Sequence, residues 1–258
     1  MKHSRAGWTI GMGLTALLLL PSPGAHAASS DSTGSKPSPH LVTLTRNDAY
    51  YWLGAGAATG ITAFYDIRVR EQALTWDSDA AKNVAKVANQ VPLAAGIAAA
   101  LGYVGGRVFD HPDLENSSRR IAISMGVAAV ATELIKWPVG RVRPDDSDHE
   151  TDNYQPFSGN ASFPSGHVAV SFAWAAAVDR ETKAGWVPWV VYPIATVVGW
   201  ARIRDDRHWA SDVAAGAALG GWTAWKTEDY LRARDGADAP SAVGLGPAGS
   251  IFAVRIRF

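Results

Sequence analysis

The stretch "RIRDDRHWASDVAAGAALGGW", residues 202–222, joins a densely charged segment directly to a run of small apolar residues. The apolar part is typical of a tightly packed helix, in which Gly216 and Gly220 let another helix backbone approach closely. The charged part does not suit a packed helix start, and it holds His208 four residues before Asp212. At helical spacing these two side chains share a face, so we predict that a buried helix begins at a functional site.

Helical periodicity continues along the chain from Asn47 onward, in runs of Ala, Val, Ile and Gly between capping residues. It predicts an all-α bundle of about six helices, near residues 48–64, 79–104 (bent or split at Pro92), 118–137, 165–179, 186–202 and 208–232. A short strand is predicted for "LVTLT" (Leu41–Thr45). Strict alternation from Phe252 to Phe258 predicts a second strand, and the two together would form a short terminal β-strand pair.

Composition limits the classes of function. The 258 residues suffice for one substantial domain, and 24 basic against 24 acidic side chains give no net charge. No bulk field therefore attracts nucleic acid, and we expect no nucleic-acid partner. The chain has no cysteine, which excludes a disulfide frame, a thiol nucleophile and a cysteine-ligated metal. The acidic residues between 145 and 152 do not have the spacing of a calcium loop, so we predict a solvated loop and no metal site.

The first 27 residues have the features of a secretory signal peptide: basic Lys2 and Arg5, an apolar run ending at Leu20, and a small-x-small cleavage site before Ala28. Cleavage near Ala27 predicts an exported, periplasmic protein. The other predicted segments are a flexible leader, a helical domain and a C-terminal tail with a short strand, at residues 28–46, 47–232 and 233–258.

Two uncharged stretches reach the length needed to span a membrane, residues 184–201 and residues 87–106. Both contain proline and glycine, and alanine dominates over leucine. Buried helices of a soluble bundle are also apolar all round. We therefore interpret the chain as soluble or peripherally attached to a membrane surface, with a helical bundle inside the membrane as the alternative.

Residues 202–212 combine groups that suit phosphate chemistry. A carboxylate such as Asp212 held against one imidazole nitrogen of His208 fixes the tautomer and frees the other nitrogen as base or nucleophile. Arg202 and Arg207 add guanidinium groups that can grip phosphate oxygens. Taken alone, the stretch is more typical of a histidine that only caps and packs a helix.

The segment "KWPVGRVRP" places Lys136 near the end of a helix, which Pro138 is predicted to stop, and Arg143 in the loop beyond. Two cations at a rigid turn can converge on one anion. The alternative interpretation is that Lys136 complements the helix dipole and Arg143 is a surface residue.

The segment "FPSGH" opens an apolar helix, so Ser165 and Gly166 lie at a helix N-terminus, where unpaired N–H groups favour phosphate. Glycine permits close approach of an anion, and His167 falls in the first turn. Alone, the segment is also a common structural helix cap.

Together, "KWPVGRVRP", "PSGH" and "ARIRDDRHWASD" resemble the three motifs of the type 2 phosphatidic acid phosphatase superfamily, which includes bacterial acid phosphatases and vanadium-dependent haloperoxidases. Every charged or catalytic position matches in order and spacing. The one departure is Ala201, where the family usually has serine. The motifs cover residues 136–212, and the family's helical core would cover residues 47–232.

The resemblance implies a role for each matching residue. His208 would attack phosphorus and become a phosphohistidine, with Asp212 orienting it. His167 would protonate the leaving oxygen and later activate water. The phosphoryl oxygens would be bound by Lys136, Arg143, Arg202, Ser165 and the Gly166 N–H.

The expected function is thus an exported phosphatase that needs no metal or cofactor and acts on phosphomonoesters or diphosphates. Lipid phosphates, such as undecaprenyl diphosphate or phosphatidate, are candidate substrates beside water-soluble esters. Two alternatives stay open: a vanadate-dependent haloperoxidase and a non-catalytic, anion-binding helical bundle. The sequence does not determine the oligomeric state.

Overall fold

The computed structural model describes residues 41–147, 151–235 and 250–255. Within these residues the chain is mostly helical, which confirms the predicted all-α class. The elements, in chain order, are β1 (Leu41–Thr45), α1 (Arg46–Ala63), α2 (Asp66–Leu74), α3 (Asp79–Ala88), α4 (Val91–Val108), α5 (Pro112–Val139), a 3-10 turn (Pro144–Asp146), α6 (Gly166–Thr182), α7 (Pro188–Arg204), α8 (Ala210–Asp235) and β2 (Ser250–Arg255). The predicted signal peptide, residues 28–40 and residues 236–249 lie outside the described residues.

The two short strands pair antiparallel, with Leu41 opposite Arg255 and Thr45 opposite Ser250. This is the terminal strand pair that the alternating sequence predicted. The helix α1 follows β1 at once, because Thr45 and Asp48 form a capping box: each side chain accepts a hydrogen bond from the other residue's backbone N–H. β1 and the first residue of α1 thus fall within the predicted leader.

The main differences from the predicted helices are one missed helix, one split helix and two shifted starts. The sequence pattern misses α2, because this nine-residue helix is rich in charge and buries little besides Asp66. The predicted helix 79–104 is two helices, split just before Pro92 as expected. α5 begins at Pro112 instead of residue 118, since proline suits the first turn, and it continues through Pro138 to residue 139. α8 begins at residue 210, so His208 lies in the turn before the helix.

The main core lies between α6, α7 and α8, and it is built largely from alanine and valine. Small side chains let these helices pack closely. A Cβ added at Gly216 would lie 2.6 Å from the carbonyl oxygen of Ser165, and one at Gly220 would lie 2.8 Å from the carbonyl carbon of Ala169. The two glycines therefore allow α8 to touch the backbone of α6, which confirms the predicted packing role.

Replacing Gly220 by alanine is expected to lower the free energy of unfolding by about 1–3 kcal/mol or more, because the α6 and α8 backbones must separate. Chemical denaturation of the variant and of the wild-type protein under identical conditions measures the change in the free energy of unfolding. Gly126 is the matched control, since a Cβ there meets nothing within 4 Å, and Gly126→Ala should stabilise α5 by about 0.5–1 kcal/mol. Equal effects of the two substitutions would contradict the close packing at Gly220.

Exposed apolar side chains cover the outer faces of α4 and α5. Helix Asp79–Val108, which combines α3 and α4, and helix Pro112–Val139 are both long and apolar enough to cross a membrane, yet only 17% and 22% of their apolar windows are buried. The exposed residues of α4 recur every three or four positions: Leu93, Ile97, Leu101, Val104 and Val108. The interpretation of residues 87–106 as a buried helix is therefore wrong, because a core helix would bury this face. The other uncharged stretch, residues 184–201, does contribute to the core, mostly through α7.

Candidate functional site

The predicted site residues meet at one cavity of about 750 Å³ at one end of the bundle. The end of α5, the segment after it, the start of α6, the end of α7 and the turn before α8 each contribute a side to it. The predicted residues that line the cavity are Lys136, Arg143, Gly166, His167, Arg202 and His208. Asp212 and Ser165 are fully buried and are not among the lining residues.

Three cationic side chains surround the start of α6. The ammonium of Lys136 lies 3.2 Å from the position that a Cβ on Gly166 would occupy, so only glycine leaves this space free. Arg202 donates from Nη1 to Oδ1 of Asn89 at 3.0 Å, while its buried Nε has no hydrogen-bond partner within the described structure. Together with Arg143 on the cavity wall, these groups and the helix N-terminus can bind a tetrahedral oxyanion.

The imidazole of His208 has a defined tautomer. Its Nδ1 lies 2.7 Å from the backbone carbonyl oxygen of Ser162. A carbonyl oxygen only accepts hydrogen bonds, so Nδ1 carries the proton and donates it. Nε2 is then unprotonated and has a lone pair. Burial lowers the pKa of His208, which keeps the ring neutral at neutral pH, although Asp212 opposes the shift.

The carboxylate of Asp212 lies behind His208 and is held by several donors. Oδ1 accepts from Nη1 of Arg141 at 2.5 Å, and Oδ2 accepts from the Ser162 hydroxyl at 2.5 Å and the Trp209 N–H at 2.9 Å. The His208 Nδ1 is 3.7 Å from Oδ2. Burial alone would raise the pKa of Asp212, but His208 and Arg141 bring it below its usual value, so the group is ionised. The sequence predicted that Asp212 fixes the tautomer directly, whereas the nearer partner is the carbonyl of Ser162.

His167 lies in the first turn of α6 and lines the cavity. Burial lowers its pKa to about 4, and the nearby charges of Arg202, His208, Lys136 and Arg143 act in the same direction. The imidazole is therefore neutral in the empty site at neutral pH. A bound anion would offset the surrounding positive charge and favour the imidazolium.

Ser165 is placed differently from the prediction. Its N–H donates to the backbone carbonyl of Asp212 at 3.0 Å, which ties the start of α6 to α8. Its hydroxyl is buried and has no hydrogen-bond partner among the described residues. The N–H of Ser165 therefore already has a hydrogen-bond partner, and the role of Ser165 as a phosphate ligand stays a prediction. Ala201, the departure from the family pattern, is fully buried and packs against α3.

Sequence reasoning missed several residues that support the site. Asn89 orients Arg202, Ser162 contacts His208 and Asp212, and Arg141 and Asp66 lie behind Asp212. Arg141 lies inside the first motif, between Lys136 and Arg143, which were both predicted as site residues. No local pattern marks the other three, because their partners are distant along the chain.

Apart from Glu133, whose carboxylate accepts from the Lys136 ammonium at 2.7 Å, the remaining wall of the cavity is apolar and reaches the outer surface of α5. Three of its side chains are largely exposed: Val130 (61%), Leu134 (71%) and Trp137 (64%). The full apolar wall comprises Pro92, Ala129, Val130, Leu134, Trp137 and Val170. The cavity thus joins a cationic end to an apolar side that opens on the exposed face of α4 and α5.

Known proteins resemble this chain in sequence and in fold. Residues 118–233 match the model of the PAP2 superfamily. The lipid A 1-phosphatase of Porphyromonas gingivalis is 30% identical over 182 residues, which cover 69% of this chain and 38% of the relative. The undecaprenyl-diphosphatase of Sulfolobus acidocaldarius is 31% identical over 103 residues, which cover 40% of this chain and 49% of the relative. This chain thus spans less than half the length of these curated relatives.

A solved structure shows the same arrangement of helices. The crystal structure of the first transmembrane PAP2 type phosphatidylglycerolphosphate phosphatase from Bacillus subtilis superimposes with a TM-score of 0.53 and 18% identity, over 70% of this chain and 91% of that chain. The region that matches the family model contains all three motifs around the cavity, within residues 136–212. From the family match and the motifs within it, we conclude that residues 118–233 of this chain belong to the PAP2 superfamily.

Proposed function

We propose that the protein is a lipid phosphate phosphatase that transfers a phosphoryl group first to His208 and then to water. The observation that carries the proposal is the Nδ1–H···O=C hydrogen bond of His208, which leaves an unprotonated nitrogen on a ring that lines a cationic cavity. A nucleophile, cations for the phosphoryl oxygens and a second histidine are the groups that covalent phosphoryl transfer requires.

In the first step, Nε2 of His208 attacks phosphorus and the bond from phosphorus to the leaving oxygen breaks. His167 gives its proton to that oxygen, so the alcohol or phosphate leaves in a protonated form. In the second step, water gives a proton to His167 and attacks phosphorus, the P–N bond breaks, and inorganic phosphate is released. Asp212 stabilises the positive charge that His208 acquires when it is phosphorylated.

The charge on the phosphoryl oxygens is stabilised by Lys136, Arg143 and Arg202, together with the N-terminus of α6. Three side-chain cations at one cavity are sufficient for this role. We therefore propose a mechanism without a metal or other cofactor, and we expect activity to persist in excess EDTA.

The apolar wall supports a lipid as the substrate. A phosphate bound at the cationic end would leave its acyl or prenyl chain beside Val130, Leu134 and Trp137, on the exposed face of α5. Lipid A 1-phosphatase and undecaprenyl-diphosphatase are the names of two relatives, and both names describe a phosphate on a lipid.

We also propose that the protein is embedded in a membrane through α4 and α5. An 18-residue helix such as α4 is about 27 Å long, close to the thickness of the hydrocarbon layer. The exposed apolar faces of both helices would then contact lipid. The signal-like N-terminal segment supports export, so that the cavity would lie at the outer surface of that membrane.

A chain-length series of phosphatidate tests the substrate class. Dioleoyl phosphatidate is expected to exceed dihexanoyl phosphatidate in kcat/KM by about tenfold or more in mixed micelles, since each buried methylene contributes about 0.8 kcal/mol. Leu134→Gln, on the apolar wall, should lower the ratio of kcat/KM for dioleoyl phosphatidate to kcat/KM for dihexanoyl phosphatidate. Leu114→Gln is the control, because Leu114 is an exposed leucine of the same helix outside the cavity wall. Equal kcat/KM for both lipids and for glycerol phosphate would contradict the lipid assignment.

A further inference from the structure

We propose that Asp66 and Arg141 form a buried pair that positions Asp212 and, through it, His208. The inference rests on the proposed function, and it adds two positioning residues to that site. All four side chains are buried, with exposed fractions of 1% for Asp66, 2% for Arg141, 0% for Asp212 and 4% for His208. Neither Asp66 nor Arg141 lines the cavity.

Arg141 bridges two carboxylates. Its Nη2 donates to Oδ2 of Asp66 at 2.9 Å, and its Nη1 donates to Oδ1 of Asp212 at 2.5 Å. The Thr151 carbonyl accepts from Nε at 3.0 Å and from Nη2 at 2.6 Å. The guanidinium lies 5.5 Å from the ring centres of both Tyr154 and Trp209. These contacts fix the plane of the guanidinium, and therefore the direction in which it holds Asp212.

Asp66 is tied to the start of α8 as well as to Arg141. Oδ1 accepts from the Ser211 N–H at 2.8 Å, and Oδ2 accepts from the Ser211 hydroxyl at 2.6 Å. The Ser211 hydroxyl also lies 2.8 Å from Nη1 of Arg141. Asp66, the first residue of α2, thus holds Ser211, which precedes Asp212 in the chain. Arg141 holds the Asp212 carboxylate itself.

The contacts of Asp212 explain how the pair reaches His208. With Oδ1 bound to Arg141, Oδ2 faces the Ser162 hydroxyl and the Trp209 N–H. The carbonyl of Ser162 then accepts the Nδ1 proton of His208. A change in the orientation of Asp212 would move Ser162, and with it the group that sets the His208 tautomer.

The pair also sets the local charge. Asp66 and Asp212 are two buried carboxyl groups that share one guanidinium, and His208 and Arg141 hold the pKa of Asp212 below its usual value, so a carboxylate charge lies behind His208. That charge favours the cationic phosphohistidine over the neutral ring. Arg141 lies two residues before Arg143 on the cavity wall, so one short segment carries both a phosphate-binding cation and the support for the nucleophile.

The test compares Asp66→Asn with Asp48→Asn. Both residues are buried carboxylates that accept from a basic side chain and from backbone or side-chain donors, but Asp48 pairs with Lys226 at the start of α1, away from the cavity. Asp66→Asn should lower kcat by about tenfold to a hundredfold and leave KM nearly unchanged. Asp48→Asn should leave kcat per folded molecule unchanged. A wild-type kcat for folded Asp66→Asn would overturn the inference.

Ser211→Ala provides a milder variant if Asp66→Asn does not fold. It removes the hydroxyl between Asp66 and Arg141 and leaves every charge in place. We expect a several-fold fall in kcat at constant KM, because one hydrogen bond is lost. An unchanged kcat in Ser211→Ala would also overturn the inference.

The tautomer of His208 gives a readout that does not depend on turnover. In ¹⁵N-histidine spectra, the wild-type His208 signal, identified by its loss in His208→Ala, should show protonated Nδ1, and the Asp66→Asn protein should show a mixture of tautomers. The same signal in both proteins would overturn the inference. A wild-type enzyme that turns over no phosphate ester would instead contradict the proposed function, and the spectra would still decide the positioning role.

Discussion

His208→Ala is expected to abolish phosphate release and to prevent formation of a phosphoenzyme. Within the described residues, His208 is the only cavity-lining histidine whose Nδ1 is fixed as a hydrogen-bond donor by a carbonyl oxygen, and the substitution removes this ring. The expected fall in kcat is about 10⁴- to 10⁶-fold, the range seen when a covalent hydrolase loses its nucleophile or a partner of it. Single-turnover assays with ³²P-labelled substrate measure both quantities, since phosphohistidine is acid-labile and is trapped by alkaline quenching.

The matched control is His111→Ala, because His111 is an exposed histidine at the other end of the bundle, directly before α5. It should retain wild-type kcat and phosphoenzyme. Binding of inorganic phosphate by His208→Ala, measured by calorimetry, shows whether the cavity is intact. Turnover near the wild-type rate in a folded His208→Ala protein would contradict the assignment of the nucleophile.

His167→Asn is expected to affect substrates according to their leaving group. An alkyl phosphate such as phosphatidate needs a proton on its leaving oxygen, so kcat/KM should fall by about 10²- to 10⁴-fold. An aryl phosphate with a weakly basic leaving oxygen, such as p-nitrophenyl phosphate, needs little protonation and should lose much less. Similar losses for both substrates would exclude His167 as the leaving-group acid.

The pH dependence gives an independent test of the same residue. Since burial and four nearby cationic or titratable side chains lower the pKa of His167 to about 4 in the free enzyme, its proton must arrive with the substrate. The productive form of a phosphomonoester is then the monoanion, whose second ionisation occurs at about pH 6. Wild-type kcat/KM for phosphatidate should therefore rise as the pH falls from about 8 toward about 5, and a rate independent of pH across this range would contradict the assignment.

The sequence predicted the class of fold and the cationic side of the cavity wall. Runs of small apolar residues between caps predicted the helices, and the glycines at 216 and 220 predicted their close packing. The three motifs identified six residues that line the cavity. The helix predictions succeeded because periodicity and caps are local properties of the sequence, whereas the site residues were identified through the resemblance of the three motifs to a known family.

The exposed apolar surface of α4 and α5 was not predictable in the same way. A helix that is apolar all round has the same composition whether protein or lipid surrounds it. Only the packing of α4 and α5 at the outside of the bundle shows that Ile97 and Leu101 are exposed, although both would suit the core of a soluble protein. The burial of α7 and the exposure of α4 thus depend on which helices are neighbours.

The sequence alone determined that helix ends carry a lysine, arginines and two histidines suited to one oxyanion. Only the tertiary structure determines which residues contact and orient these side chains. Asn89 reaches Arg202 across 113 positions of the chain, and Asp66 reaches Arg141 and Ser211 across 75 and 145 positions. Hydrogen bonds of this kind have no sequence period, because their geometry exists only after the helices have packed. The residues proposed to bind phosphate are thus marked by motifs, whereas the residues that orient them are set by the fold.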